Sequence, residues 1–310
     1  MICTVTLNAS IDKSYRLAAP LADHTVMRVA SCHATAGGKG LNAARAVAAC
    51  GEEVVASGIV GGHTGQLLLD LLAADGVAGD FVHARGETRT CINVLDPDGG
   101  STEFLEPGEE VTPAEVAAAR EKVLELAGRA DVVTVNGSIP QGFPLEAYVG
   151  LVRDVMATGT PCIVDASGER LARVVEAGPT MVKPNRDEIG QLLGREVRSM
   201  DEVATAAREL VGRGVGTVVV SLGAEGALMA CAEGTWRGRA PRIEVVNPVG
   251  SGDTMVGAFA VALARGMEAP ERLRFAMACA TANCLSPSTG SFDPTVAASL
   301  ADRTEVERLG

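Results

Sequence analysis

From Val54 onward the chain alternates short β-branched runs with longer Ala/Leu-rich stretches: VVASGIV, then GQLLLDLLAADG, later DVVTVNGS, a further helical pattern, and PCIVDASG. Continuous apolar runs bounded by Gly, Ser and Asp read as fully buried strands, and the stretches between them carry the period of helices. Repeated strand–helix–strand units of this kind predict an α/β protein whose mostly parallel sheet is flanked by helices on both faces. Two segments break the rhythm, near Lys13–Ala30 and Thr88–Leu105, where SYRLA, TVMRVAS and TRTCINVLDPDGGSTEFLE are strand-like without a long helix between them. They predict a small antiparallel sheet inserted into the α/β body, with DPDGG as a hairpin turn in which Gly99 and Gly100 tolerate positive φ. The chain of 310 residues is therefore expected to form one domain with inserted lid segments at about 12–31 and 87–107.

The balance of charge narrows the ligands. A net charge of -12 repels phosphate backbones and anionic lipid, so neither nucleic acid nor a membrane surface is an expected partner. Aromatic residues are 3% of the chain, too few for a base-stacking surface. The apolar run Met255–Ala264 falls short of the ~20 residues that cross a bilayer. Met1–Leu7 reads as a strand without the basic region of a secretory leader, so the expected location is cytoplasmic. Cys3, Cys32, Cys50, Cys91, Cys162, Cys231, Cys279 and Cys284 never form a CxxC pair and are expected to be buried thiols. His24, His33, His63 and His83 lack metal-ligand spacing.

In an acidic chain an anionic ligand must meet a local concentration of donors, and two glycine-rich helix entries offer one. In NPVGSGDTMVGAF, Asn247–Phe259, a strand (RIEVV) is expected to end at Asn247 and an Ala-rich helix to start around Asp253. Free backbone N–H groups at that helix N-terminus make an anion hole, which Gly250 and Gly252 let a phosphate approach and Ser251 hardly obstructs. Asp253 is then placed to accept a proton from an alcohol attacking the phosphoryl group. Taken alone, the same residues would also serve as a plain turn and helix cap. The second entry is AGGKGLNAARAVAACG, with Gly37, Gly38 and Gly40 around Lys39 and Asn42 on the first helical turn. Its spacing is not that of a Walker A loop. GIVGG at Gly58–Gly62 lacks the full dinucleotide spacing, so NAD is not expected.

Five motifs then occur in one order along nearly the whole chain: GGKGLN at Gly37–Asn42, DASG at Asp165–Gly168, KPNRDE at Lys183–Glu188, SLGAEGA at Ser221–Ala227 and NPVGSGD at Asn247–Asp253. Together they resemble the ribokinase-like (PfkB) carbohydrate kinases. Within that family TLNASID, GETRTC and NPVGSGD are most similar to the tagatose-6-phosphate kinases, with the 1-phosphofructokinases next.

The resemblance implies an ATP- and Mg²⁺-dependent phosphosugar kinase with a small β-sheet lid, and it implies roles for individual residues. Asp253 is the catalytic base, with Gly250, Ser251 and Gly252 forming the anion hole. Asp12, Gly38 and Asn42 hold sugar hydroxyls, Ser138 belongs to the sugar side, and Lys39, Arg28 and Arg89 gather on the substrate's own phosphate. Lys183, Asn185 and Glu188 serve the nucleotide, with Glu188 ordering Mg²⁺ through water. Ser221, Gly223 and Gly226 shape the ATP loop, and Asn283 lies beside the adenine.

Two positions depart from the family pattern. Ala9 stands where relatives usually carry proline, loosening the loop of Asp12, and Asn136 stands where they usually carry serine, altering hydrogen bonding near the sugar. The expected reaction is tagatose 6-phosphate to tagatose 1,6-bisphosphate. Alternatives are fructose 1-phosphate as substrate, a non-catalytic sugar-binding regulator of the same fold, and a homodimer formed through the lid.

Overall fold

A computed structural model describes residues 1–309. The larger sheet has ten strands, and its centre is built from β1 (Ile2–Thr6), which pairs in parallel with β4 (Val54–Gly61) on one side and β8 (Val132–Asn136) on the other. Beyond β4 lies β5 (Ala78–Ala84), also parallel. Beyond β8 follow β9 (Cys162–Asp165), β10 (Met181–Val182) and β11 (Thr217–Ser221), all parallel. The sheet then turns antiparallel through β12 (Ala227–Cys231), β13 (Gly234–Arg239) and β14 (Glu305–Leu309).

Side chains alternate across the central strands, and the two sets feed two separate cores. On one face Ile2, Val54 and Ile163 pack with α1 (Lys39–Ala49), α2 (Gly62–Ala74), α8 (Ser251–Ala264), α9 (Ala269–Cys284) and α10 (Pro294–Arg303). On the other face Cys3, Val5 and Val133 pack with α3 (Pro113–Ala127), α4 (Leu145–Ala157), α5 (Gly168–Val175), α6 (Arg186–Leu193) and α7 (Met200–Gly212). Both faces are covered, which is why the strands read as unbroken apolar runs. Burying each large aliphatic side chain contributes about 1.5–3 kcal/mol. The Ala-rich composition of α1 and α8 has a geometric consequence: at Gly257 an added Cβ would lie 2.5 Å from the Ala43 carbonyl oxygen. The two helices therefore touch backbone to backbone, and their N-termini emerge side by side.

The smaller sheet contains β2 (Ser10–Leu17), β3 (Val29–Gly37), β6 (Arg89–Leu95) and β7 (Ser101–Leu105), in the order β3-β2-β6-β7. It is mixed rather than purely antiparallel, because β2 and β6 come from distant parts of the chain and pair in parallel, Ser10 opposite Arg89 and Asp12 opposite Cys91. β3 runs on to Gly37, so the first strand pair leads directly into the glycine loop of α1. The DPDGG turn closes as expected, with Asp96 N–H on the Gly100 carbonyl at 2.9 Å, but only Gly99 takes a positive φ, 86°. Four cysteines are buried and three half-buried, whereas Cys32 on β3 is exposed. Among the described residues no helix is long and apolar enough to cross a membrane.

Candidate active site

The site residues lie where parallel strands end and helices begin, at the carboxyl edge of the larger sheet. α8 starts at Gly250, whose φ of 77° turns the chain into the helix without a side-chain cap. Gly250 must be glycine on this account, since β-carbon-bearing residues rarely adopt that conformation. The RIEVV segment before it is not a strand. Val246 and Asn247 instead donate backbone N–H groups to the Cys284 carbonyl at the end of α9, at 2.8 and 3.1 Å, because β13 pairs with β14 and offers no further edge. Ser251 N–H bonds Pro248 O at 3.3 Å, while no hydrogen bond is formed by the N–H groups of Gly252 and Asp253. These are the free donors at the N-terminus of α8.

Asp253 sits on the first turn of α8, half-buried, and its Oδ2 accepts a hydrogen bond from Asn42 Nδ2 on α1 at 2.7 Å. Burial raises the Asp253 pKa above its ordinary value, and the nearby Asp165 carboxylate raises it further; Lys39, the Asn42 hydrogen bond and Lys183 oppose the rise. Lys39 Nζ lies 3.4 Å from both carboxylate oxygens of Asp165, and Lys183 Nζ lies 3.8 Å from Asp165 Oδ2. Burial would lower the Lys39 pKa, but Asp165, Asp253 and Glu188 outweigh it and keep the ammonium charged. A Cβ added to Gly252 would come 3.2 Å from Lys183 Nζ, which puts that ammonium beside the free N–H groups. Two cations, two carboxylates and a set of backbone donors thus converge at the N-termini of α1 and α8.

The residues expected on the sugar side come from several elements. Asp12 accepts from Ser10 Oγ at 2.6 Å and shares the small sheet with Arg89, while burial raises its pKa. Gly38 has φ 119° at the start of α1, and a Cβ there would come 2.7 Å from the Thr6 side chain. Lys39 stays with Asp165; Arg28 is exposed on the β2–β3 connection and, among the described residues, makes no hydrogen bond or ion pair. Arg89 donates through Nη1 to Glu106 O at 2.8 Å and through Nη2 to Asn8 O at 3.0 Å, while its buried Nε has no partner. Asn8 links onward to Ser138 Oγ at 3.1 Å, so Arg89, Asn8 and Ser138 form one connected rim. Asn136 is buried and donates to Thr134 Oγ1 at 2.7 Å, and Ala9 is buried too.

On the expected nucleotide side, Asn185 and Glu188 form a capping box at the start of α6: Asn185 Oδ1 accepts from Glu188 N–H and Glu188 Oε2 from Asn185 N–H, each at 2.8 Å. Ser221 at the end of β11 is held beside this box by its N–H on Pro184 O at 3.1 Å. Gly223 and Gly226 carry φ of 58° and 96° around a short 3-10 turn. Asn283 is fully buried. It donates to Val249 O at 3.0 Å and accepts from Thr254 Oγ1 at 3.2 Å and Gly290 N–H at 2.8 Å, so it ties down the loop before α8 and presents no surface to an adenine.

Two buried groups went unassigned from sequence. Asp165, 2% exposed, opens the DASG motif at the end of β9, and that position was its only signal. Arg45 is the other, a lone charge in the Ala-rich run after Asn42.

Comparison with known proteins decides the family. The pfkB family carbohydrate kinase profile matches residues 5–296. The chain is a PfkB family carbohydrate kinase. Phosphofructokinase-2 from Escherichia coli, solved in complex with fructose-6-phosphate, is 33% identical with a TM-score of 0.89, covering 97% of this chain and 99% of that one. A protein designated a possible 1-phosphofructokinase from Thermotoga maritima is 27% identical with a TM-score of 0.90 over the full length of both chains. Ribokinase from Arabidopsis thaliana, complexed with ribose and ATP, shares the fold at 22% identity and a TM-score of 0.80. As a PfkB kinase the chain is a sugar kinase that transfers a phosphoryl group to a hydroxyl.

Proposed function

We propose that this PfkB kinase transfers the γ-phosphoryl group of ATP to a primary hydroxyl of a ketohexose monophosphate, with tagatose 6-phosphate as the first candidate. The observation that carries the reaction is the half-buried Asp253 carboxylate on the same helical turn as the free N–H groups of Gly252 and Asp253, with Lys183 beside them. A hydroxyl hydrogen-bonded to Asp253 loses its proton to that carboxylate as it attacks, and the N–H groups and Lys183 stabilise charge on the transferred phosphoryl oxygens. Asp12 and Asn42 orient the sugar from the small sheet and α1. Lys183 and the Asn185–Glu188 turn hold the triphosphate, and the Gly223–Gly226 turn borders the nucleoside.

Glu188 fits a water-mediated Mg²⁺: one carboxylate oxygen holds Asn185 N–H, the other makes no hydrogen bond, and among the described residues no cluster of three metal-ligating side chains forms a closed cage. The ion, when bound, would neutralise phosphate charge.

Tagatose 6-phosphate rests on the TLNASID, GETRTC and NPVGSGD motifs. Fructose 6-phosphate and fructose 1-phosphate are favoured by the two phosphofructokinase relatives. A coupled ADP-release assay over these three phosphosugars, ribose and adenosine discriminates among them. Preference for either fructose phosphate overturns tagatose, and turnover of the neutral compounds alone overturns the phosphosugar class. Absence of ADP release with every compound would overturn the ketohexose monophosphate assignment. The small sheet would close over the site as a lid. Phe104 and Leu105 on β7 are 56% and 64% exposed, which favours pairing of this sheet with a second copy, a state sedimentation would reveal.

A further inference from the structure

Arg45 lies one turn after Asn42 on α1, and it is 9% exposed in a helix whose other buried residues, Asn42 apart, are Gly, Ala, Val and Leu. A guanidinium at such a depth needs acceptors, and four bonds supply them from four separate segments. Nη2 donates to Asn42 Oδ1 at 2.5 Å. Nη1 donates to Ala36 O at the end of β3 at 2.9 Å and to Asp75 Oδ2 at the end of α2 at 3.2 Å. Nε donates to Thr289 O at 3.2 Å, in the segment that packs against Gly250.

The bond to Asn42 has a consequence for the base. A free asparagine amide can rotate to present either oxygen or nitrogen to a neighbour. Arg45 has only donors, so it takes the amide oxygen and leaves Nδ2 as the end that faces Asp253. We infer that Arg45 is a positioning residue that selects the orientation of the Asn42 amide and, through it, the rotamer and ionised form of Asp253. This rests on the reading of Asp253 as the base. With the amide reversed, Asn42 Oδ1 would face the Asp253 carboxylate, acceptor against acceptor, and the carboxylate would swing away or take up a proton.

The electrostatic surroundings agree. The charged groups around Arg45 are Asp75 from α2, Asp12 from β2 and Asp253 from α8, and burial lowers its pKa while all three carboxylates raise it. Asp253 also faces Asp165, Lys39 and Lys183. Asp12 lies near Arg89 and Glu103 as well. One buried cation thus lies within reach of both carboxylates that would meet the sugar, without touching either.

The test is a double-mutant cycle with Arg45→Lys and Asn42→Ala, using whichever sugar is turned over. Lysine keeps the charge but cannot reproduce the fork. Arg45→Lys should lower kcat about 10- to 100-fold, leave KM for ATP within about twofold and move the acid limb of the kcat profile to higher pH. In the Asn42→Ala background the same change should alter kcat less than about twofold. An unchanged kcat and acid limb, or an equal loss in both backgrounds, would make Arg45 a structural clip and overturn the inference. Neutron diffraction on the unmodified protein reads the geometry without a variant or a substrate. It should place deuterons on Asn42 Nδ2, one aimed at Asp253; a reversed amide overturns the inference whatever the kinetics. Full turnover by Asp253→Asn is a separate result, which would remove the base itself.

Discussion

Asn42 Nδ2 donates to Asp253 Oδ2 at 2.7 Å, across a helix–helix contact that joins positions 211 residues apart. The hydrogen bond holds the carboxylate of the candidate base against α1. Asp253→Asn should preserve the fold and cut kcat by about 10²–10⁴, measured by coupled ADP release. A turnover near that of the unmodified chain would remove Asp253 from the chemistry.

The pKa of Asp253 lies above its ordinary value of 3.8, with burial as the main cause. A base works when deprotonated, so activity should fall as pH drops through this raised value, above the range of an ordinary aspartate. Because Lys39 lowers the Asp253 pKa, Lys39→Met should move that limb to higher pH. The linkage has the opposite sign for stability. A folded-state pKa raised above the unfolded value gives stability that is complete below about pH 3.8 and is lost as pH rises through the folded pKa. Asp253→Asn should therefore melt no lower than the unmodified chain at pH 7, and a clearly lower melting temperature would contradict this.

Arg89 already spends two N–H groups on the carbonyls of Asn8 and Glu106, which leaves its remaining donors for a ligand anion. Arg89→Ala should raise KM for the phosphosugar roughly 10- to 150-fold, from about 1.5–3 kcal/mol per charge-assisted contact, with KM for ATP nearly unaltered. It should also lower the melting temperature, since the rim from Asn8 to Ser138 loses its anchor. A change confined to ATP would place Arg89 on the wrong side of the reaction.

Glu188 combines a helix cap with the proposed hold on Mg²⁺, and two substitutions separate them. Glu188→Gln retains an oxygen for Asn185 N–H, so stability should hold while the Mg²⁺ concentration for half-maximal rate rises. Glu188→Ala should lose both, with about 0.5–2 kcal/mol of stability from the cap. Activity should vanish with EDTA and return with Mg²⁺. Undiminished activity in EDTA would dismiss the metal role.

Much of this molecule is written in its local sequence. The alternation after Val54 determines a two-faced parallel sheet, because a strand buried on both sides must be apolar throughout. The glycines at Gly38, Gly250, Gly223 and Gly226 mark where the backbone turns with positive φ. The DPDGG turn is likewise legible, since it is satisfied within a few residues. Tertiary packing decided what depends on partners far along the chain. β2 and β6 pair in parallel across a long insertion, and no local pattern carries that direction. RIEVV has strand composition but no strand to pair with. Lys39 pairs with Asp165, because a carboxylate that is 2% exposed needs a cation. Asn283 and Arg45 acquired their places in the same way. A buried amide or guanidinium takes whatever acceptors and donors the folded chain brings to it, and for Arg45 these come from β3, the end of α2 and the loop at Thr289 as well as from Asn42, and for Asn283 from the loop before α8, from Thr254 and from Gly290.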